Sequence, residues 1–163
     1  MFVSADALAQ SGRGSNGKSA PVDWFGGRPG EVQADIDSSI KVSRYSLVQV
    51  RQLLSKMEMV DQLYRDSLIS VPSTDKRYTR YAAKIQANDK ANQAILDKIV
   101  AFRGWPKLSE FGNDGVDAAW LIVWHAKRPY QERYFPLIEK AHHSGEIPDS
   151  HFTTLKKKLA PSH

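Results

Sequence analysis

An aspartate inside an apolar helical stripe is the first residue in this sequence that needs a chemical reason. Leu47, Val50, Leu54, Met57, Asp61, Tyr64 and Leu68 recur at alternating steps of three and four, the pattern of one helix face. A charge on such a face costs several kcal/mol unless it finds a partner or a proton. Arg65 stands at the i to i+4 spacing that permits an ion pair with Asp61. A second stripe, through Tyr78, Tyr81, Ile85, Asn88, Asn92, Ile95, Ile99 and Phe102, is interrupted by two amides and carries Asp89 beside them. His125 follows an apolar run, Ala118 to Trp124. Packed side by side, these segments supply a polar pocket at one end of a hydrophobic bundle.

A histidine paired with a carboxylate performs general acid–base work without any local motif. His125 with Asp61 or Asp89 is therefore the candidate catalytic pair, and Arg65, Asn92 and Trp105 are candidate binding residues. Each also has a plainer reading. Asp61 with Arg65 serves as a structural ion pair, Asn92 as a satisfied core amide, His125 as a helix-end imidazole donating to a backbone carbonyl, and Trp105 as a core plug before Pro106. The sequence has no phosphate-binding glycine loop followed by Lys-Ser/Thr, no Gly-x-Ser-x-Gly elbow and no His-Glu-x-x-His. His142, His143 and His151 lack ligand partners at helical metal spacing, and there is no cysteine, so no metal site and no cofactor is expected.

The elements that must position these residues read as helices. No glycine or proline falls between Glu31 and Val71, so a helix is expected across that stretch, closed by Pro72. Ser73-Thr74-Asp75 offers capping oxygens for a second long helix from Lys76 to Phe102, and Gly104-Trp105-Pro106 stops it. Phe111-Gly112-Asn113-Asp114-Gly115 reads as a loop, followed by a strongly apolar helix from Val116 to Lys127. Pro129 separates that helix from one over Tyr130 to His143, capped by Gly145, and Ile147-Pro148-Asp149-Ser150 starts a last helix carrying Phe152, Leu155 and Leu159. No segment alternates with period two over strand length. The expected architecture is all-α: a single-domain bundle of about five helices, two long and three shorter, over residues 31–163.

Six of ten glycines fall in residues 1–30, which reads as a flexible Gly/Ser-rich segment with only Trp24-Phe25 expected to dock on the domain. Ala5-Asp6-Ala7 has the small-x-small form of a processing site, so a removed export signal is one reading of this end and a plain tail the other. A cytoplasmic and an exported location both remain open. The chain carries a net charge of +5, yet its one dense cationic run, Lys156-Lys157-Lys158, sits at a helix end where cations complement the dipole. With no nucleic-acid-binding motif either, a protein or small-molecule partner is expected rather than nucleic acid. No apolar stretch approaches the roughly 20 residues of a membrane span.

Taken in order, Asp61-Gln62-x-x-Arg65, Asp89-x-x-Asn92, Gly104-Trp105-Pro106, Ala119-Trp120-Leu121-Ile122-Val123-x-His125-Ala126, Gln131 and Gly145-Glu146-Ile147 resemble a bacterial helical family of unknown function, domain number sixty-six twenty-four. The resemblance spans roughly Leu53 to Leu159 and adds Gln131 to the candidate binding residues. It implies a helical bacterial domain, often in exported or envelope-associated proteins, with no attached activity. Members usually carry Gln where this chain has Trp124, and many end in an Asp-Arg pair and a Tyr-Gly-Thr-Gln segment. Here Lys156-Lys157-Lys158-Leu159 stands at the first of these, and the second is missing. Those departures favour a helical binding module, such as a protein-interaction or exported accessory domain. The alternatives are a hydrolase or transferase using the His-carboxylate pair, and a secreted effector or immunity component.

Overall fold

Ser46 and Gln49 cap each other. The Gln49 amide donates to Ser46 Oγ at 3.3 Å and the Ser46 amide donates to Gln49 Oε1 at 2.8 Å, satisfying two otherwise orphaned donors. Helix α1, Leu47–Gln62, starts there in the computed structural model, which describes residues 32–161. The expected flexible segment over residues 1–30, including Trp24-Phe25, lies outside the described residues. After α1 come the five-residue α2, Arg65–Ile69, then α3, Lys76–Arg103, α4, Leu108–His125, α5, Arg128–His143, and α6, Asp149–Leu159. There is no strand among the described residues, and one apolar core joins the helices into an all-α bundle.

The helix expected from Glu31 to Val71 is shorter at both ends. Between residues 32 and 46 the only regular element is a single 3-10 turn, Val42–Arg44, because side chains of α3 take up that stretch's backbone groups. Lys84 Nζ donates to the Gln33 carbonyl at 2.9 Å, Lys98 Nζ to the Ser38 carbonyl at 2.6 Å, and Arg103 to the Tyr45 carbonyl at 2.7 Å. Asn88 Oδ1 accepts from the Asp35 amide at 2.8 Å. At the other end α1 breaks at Leu63 and Tyr64 without glycine or proline. Asn88 Nδ2 donates to the Val60 carbonyl at 3.2 Å, in the last turn, where intrahelical donors run out.

The apolar stripe of α1 packs chiefly against α4, and α3 crosses both. Leu54, Met57, Ile95, Ile99, Val116 and Val123 are sealed from solvent where these helices meet. Burial of each such side chain contributes roughly 1.5–3 kcal/mol. The expected loop over residues 111–115 is instead helical on both sides of a kink at Gly112, whose φ of 67° suits glycine. Gly115 permits the close packing here, since a Cβ on it would meet the Phe111 Cβ at 2.8 Å. Pro129 sits in the first turn of α5, where a missing amide costs nothing, and Gly145, with φ 70°, ends the turn after that helix. No helix among the described residues is long and apolar enough to cross a membrane.

Candidate functional site

The break after α1 places Arg65 at the start of α2, one turn beyond Asp61, while Asp89 comes from the middle of α3 and His125 from the last residue of α4. All four side chains meet. Asp61 is only 2 % exposed, and its carboxylate is fully engaged. His125 Nδ1 lies 2.7 Å from Asp61 Oδ2, and Gln62 Nε2 donates to the same oxygen at 2.6 Å. Arg65 adds Nε to Oδ2 at 3.2 Å and one terminal amine to Oδ1 at 3.0 Å. That amine also donates to Asp89 Oδ1 at 2.5 Å, so one guanidinium bridges two carboxylates.

Burial works against ionisation of Asp61, but the hydrogen bonds from His125 and Arg65 outweigh it and hold the carboxyl below the ordinary aspartate range. Asp89 responds the other way. Burial and the neighbouring Asp61 carboxylate raise its pKa to about 6 against the partial relief that Arg65 supplies. A carboxylate 2.7 Å from Nδ1 calls for a proton on that nitrogen, which fixes the tautomer of a neutral His125. Nε2 then carries the lone pair. It has no partner among the described residues and is not sealed from solvent, on a side chain 23 % exposed. This placement replaces the backbone-carbonyl partner that a plain helix-end histidine would take.

Three candidate residues lie outside this cluster. Asn92 is buried and donates to the Met57 carbonyl at 2.9 Å, one turn of α1 before Asp61. Gln131 donates to the Trp124 carbonyl at 2.8 Å and so caps the end of α4. Trp105 is buried against Tyr134, with ring centroids 6.1 Å apart, so the aromatic group around Trp105, Tyr130 and Tyr134 is mostly core and not an exposed recognition surface. Sequence polarity identifies such residues but not the direction in which the helix turns them. Asp35 was missed altogether. It accepts from Lys84 Nζ at 2.8 Å and from Asn88 Nδ2 at 3.1 Å, and the helix-like composition around it gave no signal of that role.

Two described cavities, of about 810 and 320 Å³, run along residues 32–40, lined by Ile36, Asp37 and Lys56 among others, and neither includes His125. Among the described residues there is no group of three or more His, Asp or Glu side chains set to hold a metal ion. The cluster is half-buried and able to exchange hydrogen bonds and protons through His125 Nε2 and Asp89. Comparison with protein-family models, curated proteins and solved structures finds no match for this chain. The likeness to the bacterial family of unknown function rests on its motif residues alone.

Proposed function

We propose that this chain is a helical binding module whose recognition point is the Asp61–Arg65–Asp89–His125 cluster. The observation that carries the reading is the His125 imidazole, pinned through Nδ1 by a buried carboxylate while Nε2 has no partner among the described residues and is not sealed from solvent. A side chain held this way meets a ligand without losing rotamer freedom, which lowers the entropic cost of binding. The bonding of Arg65 to two carboxylates adds rigidity. Four of the motif residues in the family resemblance converge here, which supports reading the chain as a relative of that bacterial family. Protein-observed NMR against a mixed set of small polar fragments tests the proposal. Shifts should be saturable and confined to residues around Asp61, Asp89 and His125, whereas shifts only along residues 32–40 would relocate the site.

One observation favours acid–base chemistry as a second reading. The same neutral imidazole is a general base in form, and Asp89, with its pKa raised to about 6, is poised to move a proton near neutrality. On this reading the chain is a hydrolase or transferase with His125 as base, oriented by Asp61. Saturable turnover of an ester or phosphoester, lost in His125→Ala and retained in Asn92→Ala, would establish it.

A further inference from the structure

With the imidazole in its neutral form the charges in the cluster do not cancel: Asp61 and Asp89 bring two carboxylates against the one guanidinium of Arg65. No other cation touches either carboxylate among the described contacts. The groups left open are both acceptors: Nε2 of the neutral imidazole, and Asp89 Oδ2, which has no partner among the described residues and belongs to a side chain 21 % exposed. From these open acceptors and the uncancelled charge, we infer that the ligand of this site is a cation bearing N–H donors, a primary ammonium or a guanidinium group. The inference rests on the binding-site reading above and adds the chemical class of its ligand.

An anion would have to face a lone pair and a carboxylate, and it could recruit Arg65 only by breaking that residue's bonds to Asp61 and Asp89. A bare metal ion would find two open ligands, short of the three or more that hold a divalent ion. An ammonium has three donors and needs two acceptors on one side with water on the other. The adjoining seam between α1 and α4 is negative as well. Burial raises the pKa of Glu58 on α1, and the carboxylates of Asp117 and Asp114 on α4 and of Asp61 raise it further. A locally negative site on a chain of net charge +5 also steers cations here in preference to the rest of the surface.

NMR titration of the full chain with n-butylammonium, methylguanidinium, a capped Gly-Lys-Gly peptide, acetate, inorganic phosphate and acetamide tests this. The two small cations or the peptide should shift the His125 ring and the Asp89 carboxyl saturably; tighter binding of the peptide assigns the cation to a protein side chain, and equal binding to a free amine. Asp89→Asn should weaken the cations at least tenfold, and Asp97→Asn should leave them unchanged. Acetate or phosphate binding at these residues in place of the cations would overturn the inference while leaving the site standing. So would cation affinity indifferent to Asp89→Asn. If only acetamide or other neutral fragments bind, the inference alone fails, and if nothing shifts these residues, the binding-site reading fails with it.

Discussion

Two aspartate–arginine clusters flank the bundle, and they are built on opposite principles. On the α3–α5 face, Asp97 Oδ1 accepts from Tyr134 at 2.6 Å, Tyr130 at 2.8 Å and Arg133 at 2.5 Å, and the guanidinium lies over both phenol rings. Burial opposes ionisation of Asp97, but those three donors hold its carboxyl below the ordinary range, and Tyr134 is pushed up to about 12, chiefly by its burial. One carboxylate meets one guanidinium and two phenols that keep their protons. The two charges match, and the acceptor left over is Asp97 Oδ2, on a side chain 41 % exposed. At the α1–α3–α4 junction one guanidinium serves two carboxylates, and the remainder falls on an imidazole and on Asp89. The first cluster is a charge-matched clasp; the second holds one carboxylate more than its guanidinium beside the open Nε2, and the proposed binding role rests on that difference.

The sharpest way to break the comparison is to remove the buried carboxylate. Asp61→Ala strips Arg65 and His125 of their shared partner and should cost about 3 kcal/mol in urea unfolding. A loss within about 0.5 kcal/mol would show that Asp61 is not a buried paired charge. Next in size is the linkage of Asp89. Its folded pKa, about 6, lies above its ordinary value of 3.8, so the folded state holds the extra proton. Its contribution is therefore fully present below that ordinary value and is lost as pH rises through about 6. Asp89→Asn should flatten this part of the stability profile between pH 4 and 6, measured by melts at four pH values, whereas Asp97→Asn should not. Asp61, with a lowered pKa, acts in the opposite sense and loses its contribution only below its ordinary value.

Smaller effects separate the two arginines. Arg65→Lys gives up a planar fork that serves two carboxylates and should cost about 1–2 kcal/mol. Tyr134→Phe removes one hydrogen bond from the clasp and should cost about 1 kcal/mol, with no effect on ligand response at His125. Arg133 is half exposed, so Arg133→Lys should stay within about 0.5 kcal/mol in the same melts. Equal costs for the two arginine substitutions would erase the distinction between clasp and site.

Much of this was legible in the sequence because it is local. The steps of three and four, the Asp75 cap, the stop at Gly104 and the Asp61–Arg65 spacing are all set within a turn or two of helix. The convergence of Asp61, Asp89 and His125 was legible as polarity on apolar faces. The residues that misled act at a distance. Residues 32–46 have the composition of a helix but surrender their carbonyls to Lys84, Lys98 and Arg103 from α3, which no local pattern announces. Gly112 reads as a loop because glycine does not distinguish a turn from a kink between two helical stretches. The Ser46–Gln49 capping box that starts α1 lies inside a run with no glycine or proline and went unread in the sequence. Asn92, Trp105 and Gln131 have the chemistry of a site, but Asn92 and Gln131 face the Met57 and Trp124 carbonyls and Trp105, between α3 and α4, faces the core.

The central claim is that a buried Asp61 fixes the His125 tautomer and leaves Nε2 open, and nitrogen-15 NMR of the histidine rings reads it directly. Above the imidazolium range, His125 should be the Nδ1–H tautomer with a bare Nε2, and Asp61→Asn should disturb that preference. A His125 that is mainly the Nε2–H tautomer, or one that Asp61→Asn leaves unchanged, would contradict the account.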